Sequence, residues 1–286
     1  MTDDWAELRT LWHPVAAGSD LVPAHLFHAR LLEEELVLWR DSGGAINAWA
    51  NRCPHRGLRL TLGRHCGTQL ECRYHGLRFE SQTGRCVRVP AHPGEAISER
   101  LRVRVHRCTE KHGLVWVFLG TELIGDISMN PPARPASAQT INPPAASGEP
   151  ELLRVPASTT VSLRALAINA TAERAIAALA AAFGAPADAQ IAKTAITGSV
   201  VARDRLALTL DLDGQMDGAR LHFLVQPAAP QKCVVHGLLE GRFEAATTRE
   251  LVKRCSHQLN ALRDSIESTS HVSASRNPMW RLEPLE

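Results

Sequence analysis

The residues best suited to chemistry in this chain of 286 residues are two pairs of cysteine and histidine. The segment 53–57 reads CPHRG and supplies Cys53 and His55, whereas the segment 72–76 reads CRYHG and supplies Cys72 and His75. Fourteen residues separate the two segments, and each segment ends in glycine. Thiolates and neutral imidazoles bind iron and zinc, so the pattern predicts one metal centre held between two short loops.

The residue types and their spacing favour a Rieske [2Fe–2S] cluster. In such a cluster two cysteines hold one iron, and two histidines replace thiolates on the other iron and raise its reduction potential. We therefore expect Cys53 and Cys72 to anchor a buried iron. His55 and His75 would bind the exposed iron, where electrons enter and leave. A tetrahedral zinc site is the alternative, because zinc accepts the same ligands.

The other cysteines have no metal-binding spacing, and we interpret them as free, mostly buried thiols. No cysteine stands directly before His75, where the chain has Tyr74, so we expect no disulfide beside the cluster. The five cysteines in this group are Cys66, Cys86, Cys108, Cys233 and Cys255.

Length and composition are typical of a globular protein with two domains. Hydrophobic residues make up 44% and charged residues 22%, and the net charge of +2 gives no general attraction to nucleic acid or membrane. The N-terminus lacks the pattern of a secretory signal, and no apolar run is long enough to span a bilayer. Unpaired cysteines together with an iron–sulfur motif favour a cytoplasmic location.

The N-terminal part, residues 1–120, is predicted to be a small antiparallel β domain with the two loops at one end. Short runs at 32–40, 45–50, 101–106 and 114–119 have strand character. The segment 41–44, with the sequence DSGG, predicts a hairpin turn between the first two of these runs.

The remainder divides into a proline-rich linker at 121–150 and a second domain at 151–286. Alanine content predicts a helix over much of 160–183, although its first residues also suit a strand. Strands are expected near 191–202, 205–212, 220–226 and 233–243, followed by a long helix at 245–268. The fold class is therefore mainly β with an α+β second domain.

The N-terminal half resembles the Rieske domain of Rieske non-heme iron oxygenases, in the branch that includes vanillate demethylase and phthalate oxygenase. Besides the two loops, the resemblance rests on the segments WHPV at 12–15, VLWRD at 37–41, GRCV at 84–87, PA at 90–91 and GLVW at 113–116. It covers about the first 120 residues. It implies that residues 151–286 form a helix-grip domain, an antiparallel sheet holding a long helix. It further implies that a ferredoxin or a flavin reductase donates the electrons. It also implies assembly into a ring, a homo- or hetero-trimer or hexamer, with an oxygenase homologue that carries iron.

The resemblance also implies a mononuclear Fe(II) in the second domain, bound by two histidines and one carboxylate, and here the sequence departs from the family. No histidine lies between His112 and His222, where the ligand helix would fall. If Asn169 matches the family's asparagine, alanines occupy the three ligand positions, at Ala172, Ala175 and Ala180. We therefore expect no mononuclear iron and no catalytic residues in this chain.

A relocated iron site is the alternative to a lost one. The histidines available for it are His222, His236 and His257, with Asp264 and Glu267 on the predicted last helix. His257 and Asp264 are seven residues apart and would share a helix face, but that face is rich in arginine and glutamine and has the character of a solvated surface.

Arginine is concentrated around the two loops. Eight arginines lie between residues 52 and 88, against only Glu71 and Glu80. Such a basic rim would steer an acidic ferredoxin or a flavoprotein reductase toward the cluster. The alternative is that these arginines form ordinary surface ion pairs.

The sequence thus predicts an electron-transfer component of a ring-hydroxylating or demethylating oxygenase system, working with a subunit that carries iron. Two alternatives remain open. The chain could be a complete oxygenase with an unrecognised iron site, or a non-catalytic protein that senses redox state or acts as a scaffold. The sequence gives no indication of a substrate.

Overall fold

The computed structural model describes residues 3–120, 160–184, 195–212 and 218–274. The predicted linker at 121–150 lies outside these residues. The described part is mainly β, with antiparallel sheets and a long helix near its C-terminal end, as the sequence predicted. No helix within it has the length and apolar character needed to cross a membrane.

Residues 3–120 form two antiparallel sheets. Six strands form a sheet in the order β1-β10-β9-β4-β3-β2, and four shorter strands form a second sheet in the order β5-β6-β7-β8. The elements in chain order are α1 (Asp3–Leu8), β1 (Trp12–Ala17), β2 (Phe27–Leu31), β3 (Glu34–Arg40), β4 (Ile46–Ala50), β5 (Arg64–His65), β6 (Gln69–Glu71), β7 (Arg78–Glu80), β8 (Cys86–Arg88), β9 (Val105–Lys111) and β10 (Leu114–Phe118).

The predicted hairpin turn between β3 and β4 is present. The Asp41 carboxylate accepts hydrogen bonds from the backbone N–H groups of Gly43 and Ala45, both at 2.9 Å, and the Gly44 N–H donates to the Asp41 carbonyl at 3.0 Å. An aspartate that bonds to its own turn in this way is a common device of hairpins.

Two predicted strand boundaries in this region are wrong. The first strand begins at Glu34 and not at residue 32, because Leu32 and Glu33 adopt positive φ angles of 48° and 65° and form the turn from β2. The run predicted at 101–106 begins at Val105 and not at residue 101. Its first residues pair instead with the segment before and within β8, where the Val103 N–H donates to the Gly84 carbonyl at 2.9 Å.

The C-terminal part of the chain forms a third sheet covered by two helices. Its strands lie in the order β11-β16-β15-β14-β13, and β12 pairs with β16 as well. The elements are β11 (Thr160–Ser162), β12 (Leu166–Ile168), α2 (Ala172–Phe183), β13 (Ser199–Arg203), β14 (Ala207–Asp211), β15 (Arg220–Ala229), β16 (Lys232–Glu240) and α3 (Ala245–Ala274).

The predicted helix at 160–183 is corrected to two short strands followed by α2. Residues 160–162, which the sequence also allowed to be a strand, pair with β16, and so do residues 166–168, for which alanine content favoured helix. The helix begins after Thr171, whose hydroxyl accepts a hydrogen bond from the Arg174 N–H at 3.2 Å and caps the first turn. Helix α3 starts where it was expected and extends to Ala274, beyond the predicted end at 268.

One face of the third sheet packs against α2 and α3 and is filled with apolar side chains. Phe183 of α2 contacts Phe223 of β15 with ring centroids 4.7 Å apart. Ala175 and Leu179 of α2 are completely buried beside them, as is Cys255 of α3. Burial of this kind supplies most of the stability of such a layer, at about 25 cal/mol per Å² of apolar surface.

The opposite face of the third sheet packs against the first sheet. Leu224 and Leu238 lie in one apolar cluster with Trp12, Trp116 and Phe118. The tip of the β2–β3 turn completes the contact, since the N–H groups of its two residues donate to carbonyls at positions 227 and 228 of β15 at 2.8 and 3.0 Å. The two halves of the chain are therefore joined by backbone hydrogen bonds as well as by side chains.

A buried polar chain crosses the same contact. His236 donates from Nε2 to the Gln226 side-chain oxygen at 2.8 Å, and the Gln226 amide donates to the Arg30 carbonyl at 2.7 Å. His236 is completely buried, and its Nδ1 has no hydrogen-bond partner among the described residues. Burial lowers the pKa of His236 to about 4.

His236 should therefore make stability depend on pH. The unfolded chain binds a proton at this histidine near pH 6.5, and the folded chain does so only near pH 4. The free energy of unfolding therefore has its full value above pH 6.5 and falls by about 3 kcal/mol as the pH drops toward 4. Denaturant unfolding at a series of pH values measures this dependence.

The variant His236→Gln, which keeps a hydrogen-bonding side chain, should lose most of this slope. His257→Gln, on the exposed face of α3, is the control and should retain it. Some slope should remain in both variants, because burial also lowers the pKa of His13 and His222. Equal pH profiles for the two variants would contradict the role given to His236.

Candidate functional site

The four predicted ligands lie on two loops with the same backbone conformation. The first loop, residues 53–57, follows β4, and the second loop, residues 72–76, joins β6 to β7. In the first loop the Cys53 N–H donates to the Leu58 carbonyl and the Gly57 N–H to the Cys53 carbonyl, both at 2.8 Å. The second loop repeats both bonds, from position 72 to 77 at 2.8 Å and from 76 to 72 at 3.0 Å.

The glycine that ends each loop is required by its conformation. Gly57 and Gly76 have φ angles of 75° and 70°, in the left-handed region that side chains disfavour. A Cβ at Gly76 would also lie 3.0 Å from Cγ of Pro90, and a Cβ at Gly57 would lie 3.1 Å from Nε of Arg52. The two sequence segments therefore specify one structural motif used twice.

The loops place the thiols inside and the imidazoles outside. Cys53 and Cys72 are buried, with 3% and 2% of their surfaces exposed, and the Cys72 thiol is near enough to Cys53 to raise its pKa. His55 and His75 are exposed, and their Nδ1 atoms lie 3.0 Å apart. Thiol is thus paired with thiol and imidazole with imidazole, which is the division of ligands that a cluster with two irons requires.

The electrostatic environment of the thiols suits metal ligation better than nucleophilic chemistry. Burial is the main reason why the pKa of Cys53 is raised to about 11, and the neighbouring Cys72 thiol contributes to the increase. A thiol in this state is protonated at neutral pH, and a bound metal displaces its proton. Among the described residues, no three His, Cys, Asp or Glu side chains lie close enough to hold a single metal ion.

The apolar wall behind the thiols comes from the first two sheets. Trp39 of β3 and Trp49 of β4 meet edge to face with ring centroids 5.2 Å apart, and both are completely buried. They share one apolar cluster with the two cysteines and with Phe79 of β7. This packing excludes water from the thiol side of the loops.

The remaining cysteines are free, as predicted. Cys86, Cys233 and Cys255 are buried, and Cys66 and Cys108 are half-buried. Burial raises the pKa of Cys108, Cys233 and Cys255 to about 12 in each case, so these thiols are unreactive at neutral pH.

The arginines near the loops fall into two groups of equal size. Four of the eight form ion pairs, since Arg59 pairs with Glu35, Arg64 and Arg78 pair with Glu71, and Arg85 pairs with Glu99. The other four have no acidic partner among the described residues, and they are Arg52, Arg56, Arg73 and Arg88. Half of the basic rim therefore forms surface ion pairs, and the steering of an acidic partner by the other half stays a prediction.

Two features of the site were not found from the sequence. Tyr74 stacks on the imidazole of His75 with ring centroids 3.8 Å apart, although more than half of the tyrosine is exposed. Arg102 and Arg104 line a pocket beside the first loop. The position of Tyr74 next to a ligand was a usable signal, whereas the two arginines are distant in sequence and give none.

The histidines considered for a relocated iron site do not come together. His222 hydrogen-bonds through Nε2 to Glu240 at 2.9 Å, and burial lowers its pKa in spite of this carboxylate. His236 belongs to the contact between the two halves of the chain, and His257 lies exposed on α3. Glu267 accepts a hydrogen bond from the Asn169 backbone at 2.8 Å.

Comparison with known proteins gives a family match for one part of the chain. Residues 11–106 match the model of the Rieske [2Fe-2S] domain. Oxidoreductase NdmD of Pseudomonas putida is 34% identical over 270 residues, which cover 91% of this chain and 40% of NdmD. Methylxanthine N1-demethylase NdmA of the same organism is 36% identical over 124 residues, covering 42% of this chain and 35% of NdmA. The sequence matches thus span 40% or less of the length of these relatives.

Solved structures extend the likeness in fold to almost the whole chain. The structure of NdmA from Pseudomonas putida CBB5 covers 99% of this chain and 87% of its own, with a TM-score of 0.64 and 22% identity. The crystal structure of dicamba monooxygenase covers 96% of this chain and 92% of its own, with a TM-score of 0.62 and 17% identity. At these identities the likeness is one of fold.

Replacing the glycine of the second loop should destabilise the protein. Gly76→Ala forces a side chain into a left-handed conformation against Pro90, which should lower the free energy of unfolding by about 1–2 kcal/mol. Denaturant unfolding followed by circular dichroism measures the change. Arg73→Ala, an exposed position of the same loop, should change stability by less than about 0.5 kcal/mol. A Gly76→Ala variant as stable as Arg73→Ala would show that the loop tolerates another conformation.

Proposed function

We propose a function on the premise that this chain belongs to the proteins built on a Rieske [2Fe–2S] domain and has the fold of the Rieske non-heme iron oxygenases. The chain serves as the Rieske-type electron-transfer component of a ring-hydroxylating or demethylating oxygenase system. It lacks a mononuclear iron site of its own and delivers electrons to a partner subunit that carries one.

The proposed cluster ligands are Cys53, His55, Cys72 and His75. The observation that carries the proposal is that each of two loops of the same conformation supplies one buried thiol and one exposed imidazole. When bound, the cluster supplies one-electron transfer at a potential raised by its two neutral ligands. The chain's own contribution is to bury the thiolates in an apolar wall and to leave the imidazole edges open to an electron-transfer partner.

The proposal that the second half holds no mononuclear iron is supported by what fills its interior. Ala175, which takes a ligand position if Asn169 matches the family's asparagine, is completely buried in apolar surroundings. Ile176, Leu179 and Phe183 occupy the rest of the inner face of α2 and pack toward β15. Fe(II) in such a site needs nitrogen or oxygen ligands, and these side chains provide none.

The extent of the similarity to relatives supports an electron-transfer role. The match to oxidoreductase NdmD runs through both halves of the chain and covers 91% of it. The matches to the demethylases NdmA and NdmB each cover 42% of it, a length close to that of the Rieske domain. Over its second half, therefore, this chain has more in common in sequence with a protein named as an oxidoreductase than with these two demethylases.

The partners follow from the same proposal. The electron donor is a ferredoxin or a flavin reductase, and the acceptor is an oxygenase homologue in a homo- or hetero-oligomeric trimer or hexamer. All seven cysteines are free, which fits a reducing compartment such as the cytoplasm. A complete oxygenase with its own iron is the competing function, and metal content separates the two.

Iron and acid-labile sulfide per chain, measured on anaerobically purified protein, test this function. We expect about two irons and two sulfides, together with a Rieske-type EPR signal after reduction. Cys53→Ser should lose both irons and the signal, because one anchoring thiolate is missing. Cys233→Ser, a buried free thiol in β16, is the control and should retain both.

A third iron that survives in Cys53→Ser and is lost in a variant of His222, His236 or His257 would overturn the proposal. It would make the chain an oxygenase with a relocated iron site. Oxygen consumption by the purified chain with a reductase and a substrate would then be expected, whereas the electron-transfer proposal expects none.

A further inference from the structure

An open pocket of about 550 Å³ lies directly beside the first loop. The residues of the first loop form one wall, so the pocket borders the exposed imidazole of His55. Four arginines and no acidic residue line it. The arginines are Arg52, Arg56, Arg102 and Arg104.

The positive charge of this pocket is not neutralised by its surroundings. Arg52 and Arg56 have no acidic partner among the described residues. Arg102 approaches Glu99 only at 3.5 Å, and that carboxylate bonds to Arg85 at 2.9 Å. Glu99 is thus shared between Arg102 and Arg85, and the guanidinium groups leave an excess of positive charge in the pocket.

Arg104 is held at the pocket wall by a carboxylate that is itself strongly engaged. Glu34 lies 3.5 Å from Arg104 and 3.0 Å from Nε2 of His106, and it also contacts Arg9. Burial alone would raise the pKa of Glu34, but His106, Arg104 and Arg9 outweigh burial and lower it to about 2. The Glu34 carboxylate is therefore ionised at any ordinary pH and holds Arg104 at the pocket wall. Because Arg9 and His106 share the same carboxylate, Glu34 does not neutralise the positive charge of the pocket.

The second loop offers no equivalent environment. The ring of His75 is covered on one side by the stacked Tyr74, and Arg73, the arginine of that loop, is exposed. The two imidazole ligands are therefore alike in backbone and unlike in surroundings. Of the two, His55 is the imidazole that lines this concave, positively charged pocket.

We propose that this pocket receives acidic side chains of the protein that donates electrons to the cluster, so that this donor approaches over His55 and not over His75. The inference rests on the proposed electron-transfer function. The pocket is open and spans four guanidinium groups, which suits several carboxylates on a protein surface better than one small anion. A partner seated there brings its own redox centre to the edge of the cluster, where transfer distance is shortest.

Stopped-flow reduction of the cluster by a reduced, acidic plant-type ferredoxin tests this docking site. In the full chain with its cluster, the second-order rate should be high at low ionic strength and fall as salt is added. Arg56→Gln and Arg102→Gln should each lower the low-salt rate several-fold, and the double variant should lower it by about tenfold or more. All variants should converge with the unmodified chain at high ionic strength.

Each variant has a control of the same charge change. Arg73→Gln removes the arginine of the second loop and matches Arg56→Gln. Arg64→Gln matches Arg102→Gln, because Arg64 also shares its carboxylate with a second arginine, through Glu71 and Arg78. Both controls should reduce the rate by less than twofold. Equal losses in the pocket variants and the controls, or a rate independent of salt, would overturn the proposal.

A small-anion site is the remaining outcome, and pyrophosphate titration detects it. If pyrophosphate binds tightly and Arg56→Gln abolishes that binding while the ferredoxin rate stays unchanged, the pocket serves a small anion and the docking proposal is wrong. Failure of the docking site is distinguishable from failure of the proposed function. In the first case dithionite still reduces a normal Rieske-type cluster in every variant, and in the second no such cluster is present.

Discussion

Two thiols must face the interior while two imidazoles close to them face solvent, and this constraint shapes the fold around the loops. A single loop cannot meet it, because one short turn offers too few side chains. The chain meets it by using the same turn twice, each time closed by two backbone hydrogen bonds and ended by a glycine in the left-handed region. The β4 strand and the β6–β7 hairpin then bring the turns together over a wall of tryptophan and phenylalanine.

The interior of the second half of the chain is filled by side chains. A curved sheet covered by helices can enclose a cavity, but here aliphatic and aromatic side chains fill the space between α2 and β15. Its other face is bound to the first sheet by the tip of the β2–β3 turn and by the chain from His236 to Arg30. The second half therefore supports the Rieske domain through a broad contact, which agrees with a role in assembly.

Local features were predictable from the sequence, and those made by distant residues were not. The two loops, their glycines and the Asp41 turn are specified by short segments, and the structure contains each of them. The positive φ angles at Leu32 and Glu33 were not predictable, because they depend on hydrogen bonds to β15, nearly two hundred residues away. The pocket beside His55 depends in the same way on Arg102 and Arg104, which only the folding of β9 brings to the first loop.

Pulsed EPR on protein labelled with ¹⁵N-histidine identifies the ligands of the reduced cluster. We expect hyperfine coupling to two histidine nitrogens, both lost together with the Rieske signal when His55 or His75 is replaced. Coupling to no histidine nitrogen would indicate an all-cysteine cluster. It would contradict the assignment of the two exposed imidazoles on which the proposed function and the docking site both rest.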